Sequence, residues 1–194
     1  MRIVRFTESN DLALLYGFRH SLFVDTLGWL GPADDGLLTD EFDSVAINFA
    51  AIHPERGVVG SVRLVPDSPL GFPAERCGLL DGFRKMGAFG EISRLGVEED
   101  LRVSRLSAEL MRAAYQQARR EAITHVLLDI YLDGQNEALY RRMGFVDLVR
   151  PYEDTYHLLD CPSAIMVADC PSCEQTMREE SPALYKFFTA PAID

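Results

Sequence analysis

Along the chain the spacing of apolar positions switches several times between alternation and a three-to-four-residue period, and each switch marks an element. Ile3 to Phe6 alternate as a first strand does. Leu12, Leu15, Phe18 and Leu22 then recur at helical spacing and predict a helix over Glu8 to Leu22, with Asn10 and Asp11 suited to its start. Ser44 to His53 and Val58 to Val65 read as two antiparallel strands joined by the turn Pro54 to Gly57. The segment PDSPLGFP marks a surface crossing before a short helix near Ala74 to Met86. Ala88 to Val97, Ser104 to Glu121 and His125 to Leu132 read as strand, helix, strand, the pattern of a right-handed crossover between parallel neighbours. A short helix over Asn136 to Arg142 stops at Gly144, Phe145 to Arg150 is extended, and Ile165, Met166 and Val167 supply a further strand. The elements predict an α/β (α+β) fold around a mixed sheet.

No repeat or linker divides the 194 residues. One domain over 1–194 is expected, with about 170–194 as a peripheral C-terminal helix or tail. The formal net charge of −11 repels phosphate backbones and argues against a nucleic-acid partner. No apolar run approaches the roughly 20 residues of a membrane span, and MRIVRFTESN lacks the features of a signal peptide, so a cytoplasmic location is expected. Four cysteines in such a chain are expected as thiols. Cys170 and Cys173 have the C-x-x-C spacing, and Cys161 with His157 or Cys77 could complete a zinc knuckle. A second clear ligand pair is missing, so no metal is expected.

The densest chemistry lies in Phe89 to Met111. A strand carrying Glu91 and Arg94 breaks at Gly96, passes through an acidic turn and restarts as a helix near Ser104. Free N–H groups at a helix start can hold an anion such as a pyrophosphate, and a strand-end glycine lets a ligand approach the backbone. Leu95, Gly96 and Val97, followed by Arg102, Ser104, Arg105 and Leu106, are therefore the candidate grip on an acyl carrier. On the helix, Arg105, Arg112 and Arg119 fall within about 40° of each other, either as a solvated face or as a docking patch for an acidic carrier protein. Transfer from an acyl thioester needs a base for the acceptor, donors for the oxyanion and an exit for the thiolate. Glu91 is the candidate base, directly or through water; a structural ion pair with Arg63 or Arg94 is the alternative. Two-residue alternation puts Glu91 and Arg94 on opposite faces, so joint action requires a bulge near Ser93. Asp40, Glu41 and Asp43 are crowded enough to need cations, and Arg63 and Arg94 are the natural ones. The loop after Leu22 carries the only tryptophan, Trp29, as a pocket wall or a plug at the core edge.

The segment Asn136-Glu-Ala-Leu-Tyr-Arg-Arg-Met-Gly-Phe145 resembles the final signature of the GNAT acyltransferase superfamily. That resemblance implies a three-layer fold with helices on both faces of a mixed sheet. A V-shaped split between Ala88 to Val97 and His125 to Leu132 would admit acyl-CoA or acyl-carrier pantetheine. It also implies that Tyr140 protonates the departing thiolate, a packed tyrosine being the alternative. The superfamily's pyrophosphate loop normally has glycines, whereas Arg102 to Ser107 has none. The N-terminal half is similar to the N-acyl-homoserine lactone (autoinducer) synthases. The matching residues are Arg19, Phe23 and Trp29 in R-x-x-x-F-x-x-x-x-x-W, Asp40 and Asp43 in D-x-x-D, Arg63 in GSVRLVP, and Glu91 and Arg94 in E-x-x-R. After Arg63 those synthases continue with a Pro-Thr-rich segment where this chain has Pro66-Asp-Ser-Pro69.

This second resemblance implies an acceptor site of Arg19, Phe23, Trp29, Asp40, Asp43, Arg63 and Arg94. Its acceptor would be S-adenosylmethionine, with acyl-ACP or acyl-CoA as donor and no tightly bound cofactor. Related N-acyl amino acid synthases share the architecture and part of the charged set, leaving the acceptor open. An acetyl-CoA-dependent amine acetyltransferase and a non-catalytic acyl-binding regulatory module are the other readings.

Overall fold

The structure, a computed structural model, describes residues 1–102, 105–132, 137–154, 156–158 and 161–190. Its strands are β1 (Arg2–Phe6), β2 (Ile47–His53), β3 (Gly57–Pro66), β4 (Phe89–Val97), β5 (His125–Tyr131), β6 (Val146–Tyr152) and β7 (Ser163–Asp169). The helices are α1 (Ser9–His20), α2 (Leu106–Arg120), α3 (Glu137–Arg142), α4 (Cys170–Glu180) and α5 (Pro182–Thr189). Hydrogen bonding orders the strands β1-β2-β3-β4-β5-β7-β6. The chain forms two compact units, one of Met1–Val65, Ile92–Ala114 and Tyr156–Leu159, the other of Pro66–Glu91, Tyr115–Thr155 and Asp160–Asp194.

In the first unit β1, β2 and β3 are antiparallel, in a register that sets Phe6 opposite Asn48 and Asn48 opposite Arg63. The helical period read from Leu12 and Leu15 packs α1 against this face: Leu15 is fully buried with Phe6 and Ala50, flanked by Val4, Leu12, Ile52 and Val58. The predicted helix does not continue regularly to Leu22. After His20 it widens into a π-helical turn, Ser21–Thr26. That turn carries Leu22 and Phe23 into a cluster with Leu30 and Leu38. The strand expected from Ser44 begins only at Ile47, because residues Glu41–Ser44 form a 3-10 turn. Asp40 starts the turn by accepting from Phe42 N at 3.1 Å, and Asp43 accepts from Asp40 N at 3.0 Å, so each end satisfies an otherwise orphan N–H. In β3, a Cβ on Gly60 would lie 3.0 Å from Leu110 and 3.1 Å from Val97, so the glycine lets α2 settle on the strand.

In the second unit β4 and β5 are parallel, as the crossover pattern predicts, through Phe89↔His125, Gly90↔Val126 and Glu91↔Leu127. β7 runs antiparallel to both β5 and β6. The helix expected near Ala74 to Met86 is instead two 3-10 turns, Pro73–Cys77 and Phe83–Met86, separated by Gly78 and Gly82 at φ 69° and 66°, a left-handed backbone that stops helix propagation. The region expected to be a peripheral helix or tail forms α4 and α5, which bury Cys170, Cys173, Met177 and Phe188. Phe188 meets Tyr115 edge to face at 5.8 Å, so the extension belongs to this unit's core.

All four cysteines are free thiols, and burial pushes Cys170 up to about 11 and Cys173 up to about 12. Among the described residues no cluster of His, Cys, Asp and Glu could hold a metal ion, and no helix is long and apolar enough to cross a membrane.

Gly144 ends the α3 turn at φ 91°, and a Cβ there would stand 2.9 Å from Cys173 Sγ and 3.1 Å from its Cα. Gly144→Ala is expected to cost about 2 kcal/mol. Urea unfolding measures it, and a loss under about 0.5 kcal/mol would mean that α4 yields freely at this contact.

Candidate active site

Five of the predicted acceptor residues meet in the first unit. Arg19 comes from the last turn of α1, Asp40 and Asp43 from the 3-10 turn, Arg63 from the middle of β3 and Arg94 from β4. They form an alternating chain of charge. Arg19 Nη1 donates to Asp43 Oδ1 at 3.0 Å; Arg63 Nη1 lies 3.2 Å from Asp43 Oδ2 and donates to Asp40 Oδ1 at 2.6 Å; Arg94 Nη2 donates to Asp40 Oδ2 at 3.1 Å. Side-chain exposure is 0% at Arg19, 1% at Arg63, 4% at Asp40, 7% at Asp43 and 10% at Arg94. Charges this deep persist because each is paired and hydrogen-bonded. Burial alone would raise the Asp40 pKa, but Arg63 and Arg94 outweigh it and hold the carboxyl at about 2. Burial lowers Arg19 to about 10 against the attraction of Asp43.

The sequence reading missed four members of this site. Asn48 on β2, itself buried, accepts from Arg19 Nη2 at 2.6 Å. Ser93 Oγ accepts from Arg63 Nε at 3.1 Å, and Ser61 Oγ donates to the Arg94 carbonyl at 2.7 Å. The Tyr16 ring lies under the Arg19 guanidinium, 5.6 Å to its centroid. A buried polar residue within an apolar strand, as Asn48 and Ser61 are, was the available signal. Arg19 is wholly interior, its Nη atoms bonded to Asp43 and Asn48. The irregularity expected near Ser93 falls one residue later, at Arg94, whose φ of 52° is left-handed. A residue with a Cβ pays about 1–2 kcal/mol for that conformation, and it breaks the strict alternation of β4.

Phe23 and Trp29 lie together, ring centroids 6.0 Å apart, in the cluster beside the π turn. Gly96, the candidate point of close approach for a ligand, is half-buried, and this cluster lies on the side where a side chain would project. A Cβ there would meet Leu22 Cδ2 at 2.6 Å and Phe23 Cζ at 2.8 Å. Leu95 is half-buried, Val97 and Leu106 are buried, and Arg102 and Arg105 are exposed. Ser104 lies outside the described residues.

Glu91 and Tyr140 belong to the second unit. Glu91 is 1% exposed and accepts from Ala74 N at 2.8 Å, which ties β4 to the 3-10 turn after Phe72. Tyr140 is buried on α3, its ring against Phe145 at 6.0 Å. An exposed ion network of Glu137, Arg141, Asp147 and Arg150, with distances of 2.8 to 3.6 Å, fastens α3 to β6.

A folded-state pKa of about 2 against an ordinary 3.8 makes Asp40 stabilising at neutral pH, and that contribution fades as pH falls from about 4 to 2. Asp40→Asn should flatten this acid limb in urea titrations and cost about 3 kcal/mol at pH 7, because Arg94 loses its carboxylate while Arg63 keeps Asp43; an unchanged limb would remove Asp40 from the network.

The chain can be set beside known proteins. An acyl-homoserine-lactone synthase of Aeromonas salmonicida is 28% identical over 141 residues, 67% of this chain and 66% of the relative, just under two thirds of its length. Among solved structures, FeeM, an N-acyl amino acid synthase from uncultured soil microbes, superposes with a TM-score of 0.72 at 14% identity over 90% of this chain and 93% of its own. The CoA-dependent acyl-homoserine lactone synthase BjaI, solved with SAM and isopentyl-CoA, superposes at 0.69 and 22% identity over 95% of this chain and 84% of its own. The mixed-sheet, GNAT-like fold expected from the sequence is therefore the one present. The family model described as N-acyl amino acid synthase FeeM matches residues 15–169, a span that takes in the whole charged network, and the chain belongs to that family.

Proposed function

We propose that this protein is an N-acyltransferase that moves an acyl group from an acyl-CoA or acyl-carrier thioester to the amine of a small, amino-acid-like acceptor, S-adenosylmethionine first among them. The observation that carries the reading is the buried alternation of Arg19, Asp43, Arg63, Asp40 and Arg94, three guanidinium groups against two carboxylates. Both aspartates are engaged by arginines, so their part is to hold guanidinium groups in place. Arg94, the least buried of the three, suits the anionic group of the acceptor. The N-acyl-homoserine lactone branch draws support from the Aeromonas relative and from BjaI with SAM and isopentyl-CoA. Acylation of a free amino acid is the second reading, favoured by the FeeM family match.

In the proposed reaction Glu91 takes a proton from the acceptor's ammonium, directly or through water. The freed amine adds to the thioester carbonyl, and collapse of the tetrahedral intermediate expels the thiolate, to which Tyr140 gives its phenolic proton while the second nitrogen proton passes through water to the Tyr140 phenolate. With S-adenosylmethionine as acceptor, the acylated product's carboxylate then attacks the carbon bearing the sulfonium. The carbon–sulfur bond breaks, and a lactone and neutral methylthioadenosine result. Phe23 and Trp29 offer aromatic surface for the acceptor, and residues 95–97, 102 and 104–106 are assigned to the acyl carrier. Neither donor, CoA or carrier protein, is preferred by these side chains.

Purified protein given an acyl-CoA or acyl-ACP with S-adenosylmethionine should yield N-acyl-homoserine lactone and methylthioadenosine by mass spectrometry. Acylation of added amino acids alone would move the assignment to the second reading, and no turnover with any thioester would sink both. Glu91→Gln should lower kcat at least about 10²-fold with modest change in KM. Arg94→Ala should act mainly through the acceptor KM, and a loss confined to the donor KM would reverse its assignment.

A further inference from the structure

A left-handed arginine in mid-strand needs a restraint, since nothing local favours that conformation over the extended one. Ser61, wholly buried on β3, places its Oγ 2.7 Å from the Arg94 carbonyl oxygen. Two residues further along β3, Arg63 donates Nε to Ser93 Oγ at 3.1 Å. β3 therefore grips β4 at both residues of the break, through the Ser93 side chain and through the Arg94 backbone. A left-handed residue turns its carbonyl out of the regular ladder, and a buried carbonyl without a donor is costly. The Ser61 hydroxyl is the donor it receives. The far end of the same residue is held by Asp40 Oδ2 at 3.1 Å, so Arg94 is fixed at its backbone and at its guanidinium.

We infer that Ser61 is a positioning residue: its hydroxyl locks the left-handed backbone of Arg94 and so sets where that guanidinium meets the anionic group of the acceptor. The inference rests on the acceptor role proposed for Arg94. Without the hydroxyl, residue 94 relaxes to the extended φ of its neighbours, its Cβ swings away, and the guanidinium leaves Asp40. The donor side of the reaction is not touched by this change, so the two Michaelis constants separate.

Ser61→Ala is the test, with acceptor and donor KM measured separately and the torsion at residue 94 read from a crystal structure or NMR backbone shifts. Loss of one buried hydrogen bond should raise the acceptor KM about tenfold, leave the donor KM within about twofold, and turn φ at residue 94 negative. Ser61→Cys keeps the shape and a weaker donor, and should fall between Ser61→Ala and the native protein; it takes over as the test if Ser61→Ala does not fold. A variant that loses stability yet keeps the native acceptor KM and the positive φ would overturn the inference. If the native protein turns over no thioester, the functional reading fails, and the torsion at residue 94 in Ser61→Ala alone decides the role of Ser61.

Discussion

Pairing of buried charge is the constraint on which the first unit depends. Three guanidinium groups and two carboxylates have been taken out of water, and no member can be removed without leaving another uncompensated. Asp40 shows how closely this is tied to the fold. One of its oxygens starts the 3-10 turn and receives Arg63, and the other receives Arg94. The residues between α1 and β2 are thereby pinned to β3 and β4 by polar bonds at a place where a loop alone would have few ways to be held. Such an arrangement is weak evidence for stability and better evidence for placement, because an apolar cluster of the same volume would hold the turn as firmly.

Close packing does for the aromatic side of this unit what pairing does for the charged cluster. Gly96 has no side chain, so Leu22 and Phe23 lie directly on the β4 backbone. The extra residue per turn in the π segment Ser21–Thr26 is what aims both of them there. Trp29 follows Phe23 into the same cluster, and its carbonyl accepts from Leu158 N at 2.8 Å. Phe23 and Trp29 are therefore held in place by packing.

The second unit is held by different means. Its core is apolar, from Phe89 and Leu127 in the sheet to Phe188 in α5, with polar groups paired at its margins. Tyr115 donates to Glu174 at 3.0 Å and Tyr152 to Asp129 at 2.5 Å, and burial raises the pKa of both phenols, so they remain donors at neutral pH. Cys170 and Cys173 share this interior, turned inward by α4, and burial raises their pKa values so that both are protonated thiols at neutral pH.

The sequence by itself determined the elements whose signal is local. Leucines at helical spacing gave α1, alternation gave the β2–β3 hairpin, and the β4–α2–β5 spacing gave the parallel pair, because these periods follow from backbone geometry alone. The crowding of Asp40, Glu41 and Asp43 nominated Arg63 and Arg94 as their partners, and the family resemblance added Arg19. Only the tertiary structure decided which residues complete it and which way each faces. Asn48 and Ser61 looked like lapses in apolar strands until Arg19 and Arg94 were placed beside them. That Arg19 is wholly interior is likewise set by segments distant in the chain. The left-handed turn at Arg94 has no glycine or asparagine to announce it, since it is enforced by bonds to residues 33 and 54 positions away along the chain. Periodicity reports a residue's relation to its near neighbours, whereas burial, strain and hydrogen-bond partners arise from segments that meet only in the folded state.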